Sequence, residues 1–218
     1  MNNKDTQRRI AEILDPADAT KQQWDNLTPT DADYMMHSPK PIGYHETNEQ
    51  LYLFQNLLAG FNPQINSILD IGCGRADLAQ FITDFYDTTP VYSGIDHNPI
   101  MTTLALEKHN QTVITGAFET VSLPKADWVV ASGVFTQRRC ETEDKDLQKL
   151  FDDIALLYET ANTAVAFNLL SPINTKHVPG FFYVHPGLIM DMLIEKYQSV
   201  IVRHNYSPDV YTVTIYKF

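Results

Sequence analysis

An apolar run at residues 67–71 ends in Gly72-Cys73-Gly74 and passes almost at once into the helix-periodic stretch 77–86. A strand that turns on glycines straight into a helix is not half of a hairpin. Its partner is reached through a helix-sized crossover, which makes the pairing parallel. The rest of the chain repeats this alternation. Strands are expected at 91–95, 112–115, 127–131 and 164–170, and helices at 46–59, 99–109, 146–160 and 186–197. Two β-rich runs close the chain at 199–204 and 210–218, joined by Asn205-Tyr206-Ser207-Pro208-Asp209, a link short enough for a hairpin. The expected fold class is α/β, a seven-stranded mixed sheet with helices on both faces and a C-terminal antiparallel hairpin. Its ligand crevice belongs at the carboxyl ends of the strands, where the winding reverses.

Two parts are distinguished by composition. Residues 1–45 are polar, with helical patches, and end in the proline-broken Ser38-Pro39-Lys40-Pro41-Ile42-Gly43, which reads as extended chain. They are expected to be an N-terminal helical extension able to act as a lid over cofactor or substrate, with residues 46–218 as the main domain.

Charge and cysteine usage narrow the function. Acidic residues number 27 against 16 basic ones, a formal charge of -11 over 218 residues, which repels a phosphate backbone and argues against nucleic-acid partners. The two cysteines, Cys73 and Cys140, are too few for a disulfide scaffold and lack zinc-site spacing, so no metal site is expected. No apolar run reaches the ~18 residues of a membrane span, and the polar start lacks a signal-peptide core, so a cytoplasmic location is expected.

The chemistry concentrates at the strand ends. Gly72 and Gly74 let backbone pass close to a ligand at a helix start. A dinucleotide fingerprint would place its third glycine where Asp77 stands, and a carboxylate there repels a pyrophosphate, which counts against NAD or FAD. Asp70, two residues before the first glycine, suits a ligand with a cationic end. At the end of the second strand, Gly94-Ile95-Asp96 places a carboxylate where it can accept from both hydroxyls of a ribose. Taken alone, Asp96 reads equally well as a cap for the helix beginning at Pro99.

Leu69-Asp70-Ile71-Gly72-Cys73-Gly74 together with Ser93-Gly94-Ile95-Asp96-His97-Asn98-Pro99 resembles the class I S-adenosylmethionine (SAM)-dependent methyltransferases, whose fold is Rossmann-like. The resemblance implies SAM as cofactor. It implies that the turn Gly72, Cys73, Gly74 to Ala76 wraps the methionine part, Ala76 standing where the family has its third glycine, with Asp70 at or behind the ammonium group. Asp96 would then be the ribose acid, with His97 and Asn98 beside the adenosine. Where members often carry an acid for the adenine amino group, this chain has Ala117, leaving adenine to backbone groups and to Phe118, whose other reading is a core aromatic. Ser132 and Gly133, at the end of the fourth strand, would line the methyl-transfer site.

Further segments, including Ala131-Ser132-Gly133-Val134-Phe135, Ala166-Phe167-Asn168-Leu169-Leu170-Ser171 and Pro41-Ile42-Gly43-Tyr44 with Gln50, resemble an unassigned bacterial and phage branch of that family over residues 37–218. That likeness carries fold and cofactor but no acceptor. Asn/Asp-Pro-Pro-Tyr and Pro-Cys motifs are absent, which argues against the base methylations they serve. Methyl transfer is mostly positioning, and a base is needed only if the acceptor must lose a proton. Tyr44, His37, Asn168, Ser132 and His177 are candidates, and no catalytic residue is assigned. The long, aromatic, proline-bracketed loop at 171–184 is either a cap on the acceptor pocket or a structural loop packed on the sheet. The acidic stretch 144–153 reads as the solvent face of a helix. The functional expectation is a SAM-dependent methyltransferase acting on a small molecule. A non-catalytic module binding SAM or S-adenosylhomocysteine (SAH), or a partner subunit, is the alternative, and a nicotinamide oxidoreductase is a third reading.

Overall fold

A computed structural model describes residues 47–64, 66–86, 90–173 and 177–217. The expected extension over 1–45, with Tyr44 and His37, lies outside the described residues. The elements run α1 (Thr47–Leu57), β1 (Ile68–Ile71), α2 (Asp77–Tyr86), β2 (Tyr92–Asp96), α3 (Pro99–His109), β3 (Ile114–Thr115), β4 (Ala126–Ala131), α4 (Glu143–Thr160), β5 (Ala161–Leu170), α5 (Pro186–Tyr197), β6 (Val200–Arg203) and β7 (Val210–Tyr216). They form one seven-stranded sheet in the order β3-β2-β1-β4-β5-β7-β6. β7 runs antiparallel to both of its neighbours, and the remaining pairs are parallel. Winding goes outward from β1 to β3, then restarts at β4 on the other side of β1. The crevice is therefore expected over β1 and β4.

The two-residue period of the strands divides the core into two layers. Ala164 and Ala166 of β5 face one side with Ile68, Trp128 and Val130, under Phe54 and Leu57 of α1 and Phe81 and Ile82 of α2. Val165, Phe167 and Leu169 face the other, under Leu150, Ile154 and Leu157 of α4 and Ile189 and Leu193 of α5. Local signals set the helix starts. Asn98 Oδ1 accepts from the Ile100 N–H at 2.8 Å with Pro99 in the first turn, so Asn98, and not Asp96, caps α3.

Between β3 and β4 the chain crosses without a helix, and Phe118, Val121 and Leu123 of the crossover pack directly on the α4 side of the core. One expectation needs correction. The acidic stretch in α4 is not purely a solvent face, because Asp146 and Asp153 are 3% and 2% exposed. Asp146 accepts from the Arg139 and Cys140 N–H groups at 2.7 and 2.8 Å and from Arg138 Nε at 3.0 Å. Asp153 pairs with Arg139 at 2.7 Å and with Lys149. A buried carboxylate survives only with such partners, and here they fasten the loop after β4 to α4.

Trp128 is the largest fully buried side chain. Its Nε1–H donates to the Leu57 carbonyl at 3.2 Å, and its ring meets Phe61 and Tyr216 edge-on at 5.9 and 5.8 Å. It thereby joins α1 to β4 and β7. Truncation of a buried aromatic costs about 3–5 kcal/mol, so Trp128→Ala is expected to lower the denaturant midpoint by that amount. Trp128→Phe, which keeps most of the ring contacts and loses the hydrogen bond, should cost about 1–2 kcal/mol in the same measurement.

Candidate functional site

Asp70 is the third residue of the four-residue β1, and the turn after it winds tightly. Gly72, Gly74 and Ala76 have φ of +64°, +53° and +62°. A Cβ added at Gly72 would lie 2.6 Å from Val134 Cγ2 in the loop after β4, so glycine there permits the close approach of the two loops. At Gly74 a Cβ would meet no described residue within 4 Å. Ala76 adopts the same left-handed conformation with a side chain, at a cost of about 1 kcal/mol. Its buried methyl packs on Ala79 and Ala105.

Two bonds attach this turn to β2: Asp96 Oδ2 accepts the Gly74 N–H at 2.8 Å and the Cys73 N–H reaches the Ile95 carbonyl at 3.0 Å. The Asp96 carbonyl in turn takes the N–H of Gly116, just after β3, at 2.8 Å. Asp96 Oδ1 accepts from the Asn98 N–H at 2.9 Å. Each carboxylate oxygen thus uses one acceptor position on backbone and keeps a second for a ligand. Burial pushes the Asp96 carboxyl up, opposed by those two backbone donors and by the nearby His97, whose Nδ1 lies 3.7 Å from Oδ1.

Behind the turn, Asp70 is 2% exposed, and its Oδ2 accepts from the Tyr92 hydroxyl at 2.8 Å. Burial pushes its pKa up to about 7, against the lowering effect of the Tyr92 bond. Cys73 is buried against Gly94, where a Cβ would lie 2.9 Å from its sulfur. Burial, together with the Asp70 and Asp96 carboxylates, pushes its thiol up, so it is no nucleophile at neutral pH.

Asp77, at the first position of α2, is offset by its neighbours. It accepts from Arg75 Nε at 2.7 Å and from Lys108 at 3.1 Å, and it lies 2.9 Å from His109 Nε2. Burial raises its pKa, but His109, Arg75 and Lys108 outweigh that and hold it well below the usual carboxylate range. Its charge is committed to joining the start of α2 to the end of α3.

At the end of β4, Gly133 has φ +75°, and a Cβ there would also meet no described residue within 4 Å. Its N–H donates to Asn168 Oδ1 of β5 at 2.7 Å. Ser132 sits beside it, half-buried. The remaining expected site residues are more scattered. Ala117 accepts the Thr120 and Val121 N–H groups through its carbonyl, while Phe118 belongs to the core, with Lys149 Nζ 5.9 Å from its ring centre. The loop at 171–184 is strapped to the loop after β4: the Phe182 N–H reaches the Thr136 carbonyl at 2.9 Å and the Arg138 N–H the Gly180 carbonyl at 2.9 Å. Its His177 ring stacks on Tyr183 at 4.5 Å. Sequence reasoning missed Tyr92, whose contact with Asp70 spans two strands; the signal was its place at the start of the strand beside β1.

Asp70, the glycine turn, Asp96, Ser132 and Gly133 thus gather at the carboxyl ends of three adjacent strands, whereas Phe118 lies in the core. No protein-family model matches the sequence, and no curated protein matches it. Solved structures do match. A SAM-dependent methyltransferase from Archaeoglobus fulgidus superposes with a TM-score of 0.59 at 15% identity, over 84% of this chain and 99% of that one. Magnesium protoporphyrin IX methyltransferase from Synechocystis PCC 6803, solved with bound SAM, gives 0.57 at 13% identity, over 97% and 90%. The plantazolicin methyltransferase, in complex with a triazolic analogue and SAH, gives 0.57 at 13% identity, over 98% of each chain. This chain has the fold of the class I SAM-dependent methyltransferases.

The raised Asp70 pKa has a consequence for stability. The folded group holds its proton up to about pH 7, while the unfolded one releases it near 3.8. Between those values the folded state binds more protons, so stability falls as pH rises through that window. Asp70→Asn, which still accepts from Tyr92, is expected to melt higher than the wild type at pH 8, by up to ~4 kcal/mol in stability. The gap should close as the pH approaches 4 in thermal melts across that range.

Proposed function

We propose that this chain is a SAM-dependent methyltransferase acting on a small-molecule acceptor. The observation that carries this reading is the joint between Gly74 and Asp96, with open space over Gly74 and Gly133 on either side of it. A flat ligand laid across the ends of β2, β1 and β4 meets, in order, a carboxylate with acceptor positions to spare, a backbone turn without side chains, and a second glycine. That sequence of groups fits a ribose, a thioether chain and a reacting methyl group. SAM supplies an electrophilic methyl group carried on a sulfonium.

Asp96 accepts from the ribose hydroxyls, and His97 lies beside the adenosine. Asp70, buried and close to half-ionised at neutral pH, gains a cationic partner in the ammonium group, which holds it in its charged form. Cys73 and Ala76 support the turn from behind. Ala117 and Phe118 border the adenine end, and Ser132 and Gly133 line the methyl-transfer end. Residues 46–218 form the methyltransferase domain, with 1–45 accessory to it, in a cytoplasmic protein. The net charge of -11 disfavours a nucleic-acid acceptor. The names of two structural neighbours, which point to a magnesium porphyrin and to plantazolicin, support a small acceptor. Among the described residues no helix is long and apolar enough to cross a membrane.

Calorimetry with SAM and SAH tests the cofactor half. Asp96→Ala should weaken both by at least ~10-fold, since hydrogen bonds to a charged group contribute about 1.5–3 kcal/mol. Gly74→Ala should abolish binding while lowering stability by only about 1 kcal/mol, because its methyl enters ligand space and touches no protein atom. Failure of the wild type to bind either compound would sink the proposal. Transfer of label from methyl-tritiated SAM to the small-molecule fraction of a lysate separates an enzyme from a module that binds without reacting.

A further inference from the structure

β5 runs Ala164-Val165-Ala166-Phe167-Asn168-Leu169, buried throughout, with one polar side chain among apolar ones. Asn168 is 2% exposed. Because the Gly133 N–H donates to it, the atom facing Gly133 must be the carbonyl oxygen, and this fixes which way round the amide sits. The Nδ2 group, with two N–H donors, has no hydrogen-bond partner among the described residues. Donors left unmet in a buried side chain are costly, and the amide is held at the end of β4 by Gly133, where no described residue lies within 4 Å of an added Cβ.

The surrounding polar groups share one character. Thr212 of β7 is the cross-strand partner of Asn168 on the same sheet face, and Arg203 of β6 is the next residue in that row. Thr212 Oγ1 lies 2.7 Å from the Tyr206 hydroxyl. Arg203 Nη1 donates to Thr214 Oγ1 at 3.2 Å and makes no ion pair with a carboxylate among the described residues, in a chain carrying eleven excess negative charges. The row thus offers an amide, hydroxyls and one cation, and no carboxylate.

Resting on the methyltransferase reading, we infer that Asn168 donates a hydrogen bond from Nδ2 to the methyl-accepting atom, and that this atom is an oxygen already anionic at neutral pH, a carboxylate or an acidic hydroxyl. An amide cannot take a proton, so it serves an acceptor that has none to lose. The oxyanion forms its new O–C bond with its own lone pair, the electrons of the breaking S–C bond stay on sulfur, and no proton is released. An ammonium has no lone pair to offer Nδ2 and is refused.

Sinefungin tests this without knowledge of the acceptor, since it carries an amine, protonated at neutral pH, in place of the transferred methyl group. Calorimetry at pH 7.5 should show wild-type protein binding SAH more tightly than sinefungin. Asn168→Asp keeps an oxygen for the Gly133 N–H and should reverse the preference, improving sinefungin relative to SAH by ~10-fold or more while SAH itself changes by less than ~3-fold. Asn168→Leu, which offers neither donor nor charge, should fall between them and guards against misfolding of the Asp variant. An unchanged sinefungin-to-SAH ratio in both variants would overturn the inference. Absence of binding to both compounds in the wild type would instead overturn the cofactor reading on which it rests.

Discussion

The hydrogen bond from the Gly74 N–H to Asp96 joins the turn after β1 to the last residue of β2. Three residues of that turn sit at positive φ, a conformation that unsupported chain does not hold. The bonds to Asp96 and Ile95 hold it, and α2 then starts from a fixed point. Gly94 and Cys73 fit together beneath the joint, where any larger residue at 94 would strike the sulfur. The carboxylate that the proposed function assigns to the ribose is therefore the one that shapes the turn.

That arrangement places an expensive group at the centre of the molecule. Asp70 is desolvated by the strands around it, and only the Tyr92 hydroxyl offsets the cost. Asp77 shows the contrasting solution: similarly close to the turn, it is surrounded by Arg75, Lys108 and His109 and is stabilised as an anion. One carboxylate is neutralised from within the protein. The other has no cationic partner among the described residues, and burial holds its proton more firmly.

The strand ends carry two kinds of construction. The turn after β1 is bound to its neighbours by backbone hydrogen bonds, whereas the loops after β4 and β5 are strapped to one another through Thr136, Arg138, Gly180 and Phe182 and anchored to α4 by Asp146. Loops tolerate change where strands do not.

Much of this was legible in the chain because the signals were local. Apolar runs alternating with helical periods imply a parallel sheet, the 205–209 link implies the final hairpin, and Asp70-Ile71-Gly72-Cys73-Gly74 and Gly94-Ile95-Asp96 announce strand ends that carry a ligand. The roles of Asp96 and Asn98 were harder to separate, since either residue type can cap a helix; the cap fell to Asn98 once Asp96 was engaged by Gly74. The burial of Asp146 and Asp153 in an acidic helix was hidden, because their partners, Arg138 and Arg139, come from a loop whose path is set by packing. Tyr92 on Asp70 and Gly133 on Asn168 are contacts between neighbouring strands, and strand order is not written in either residue's surroundings. The sequence by itself determined the layers and the place of the crevice, since these follow from periodicity and turn chemistry. Which carboxylate lacks a cationic partner among the described residues, and which amide meets Gly133, only the tertiary structure decided, because both depend on what distant strands bring to within 3 Å.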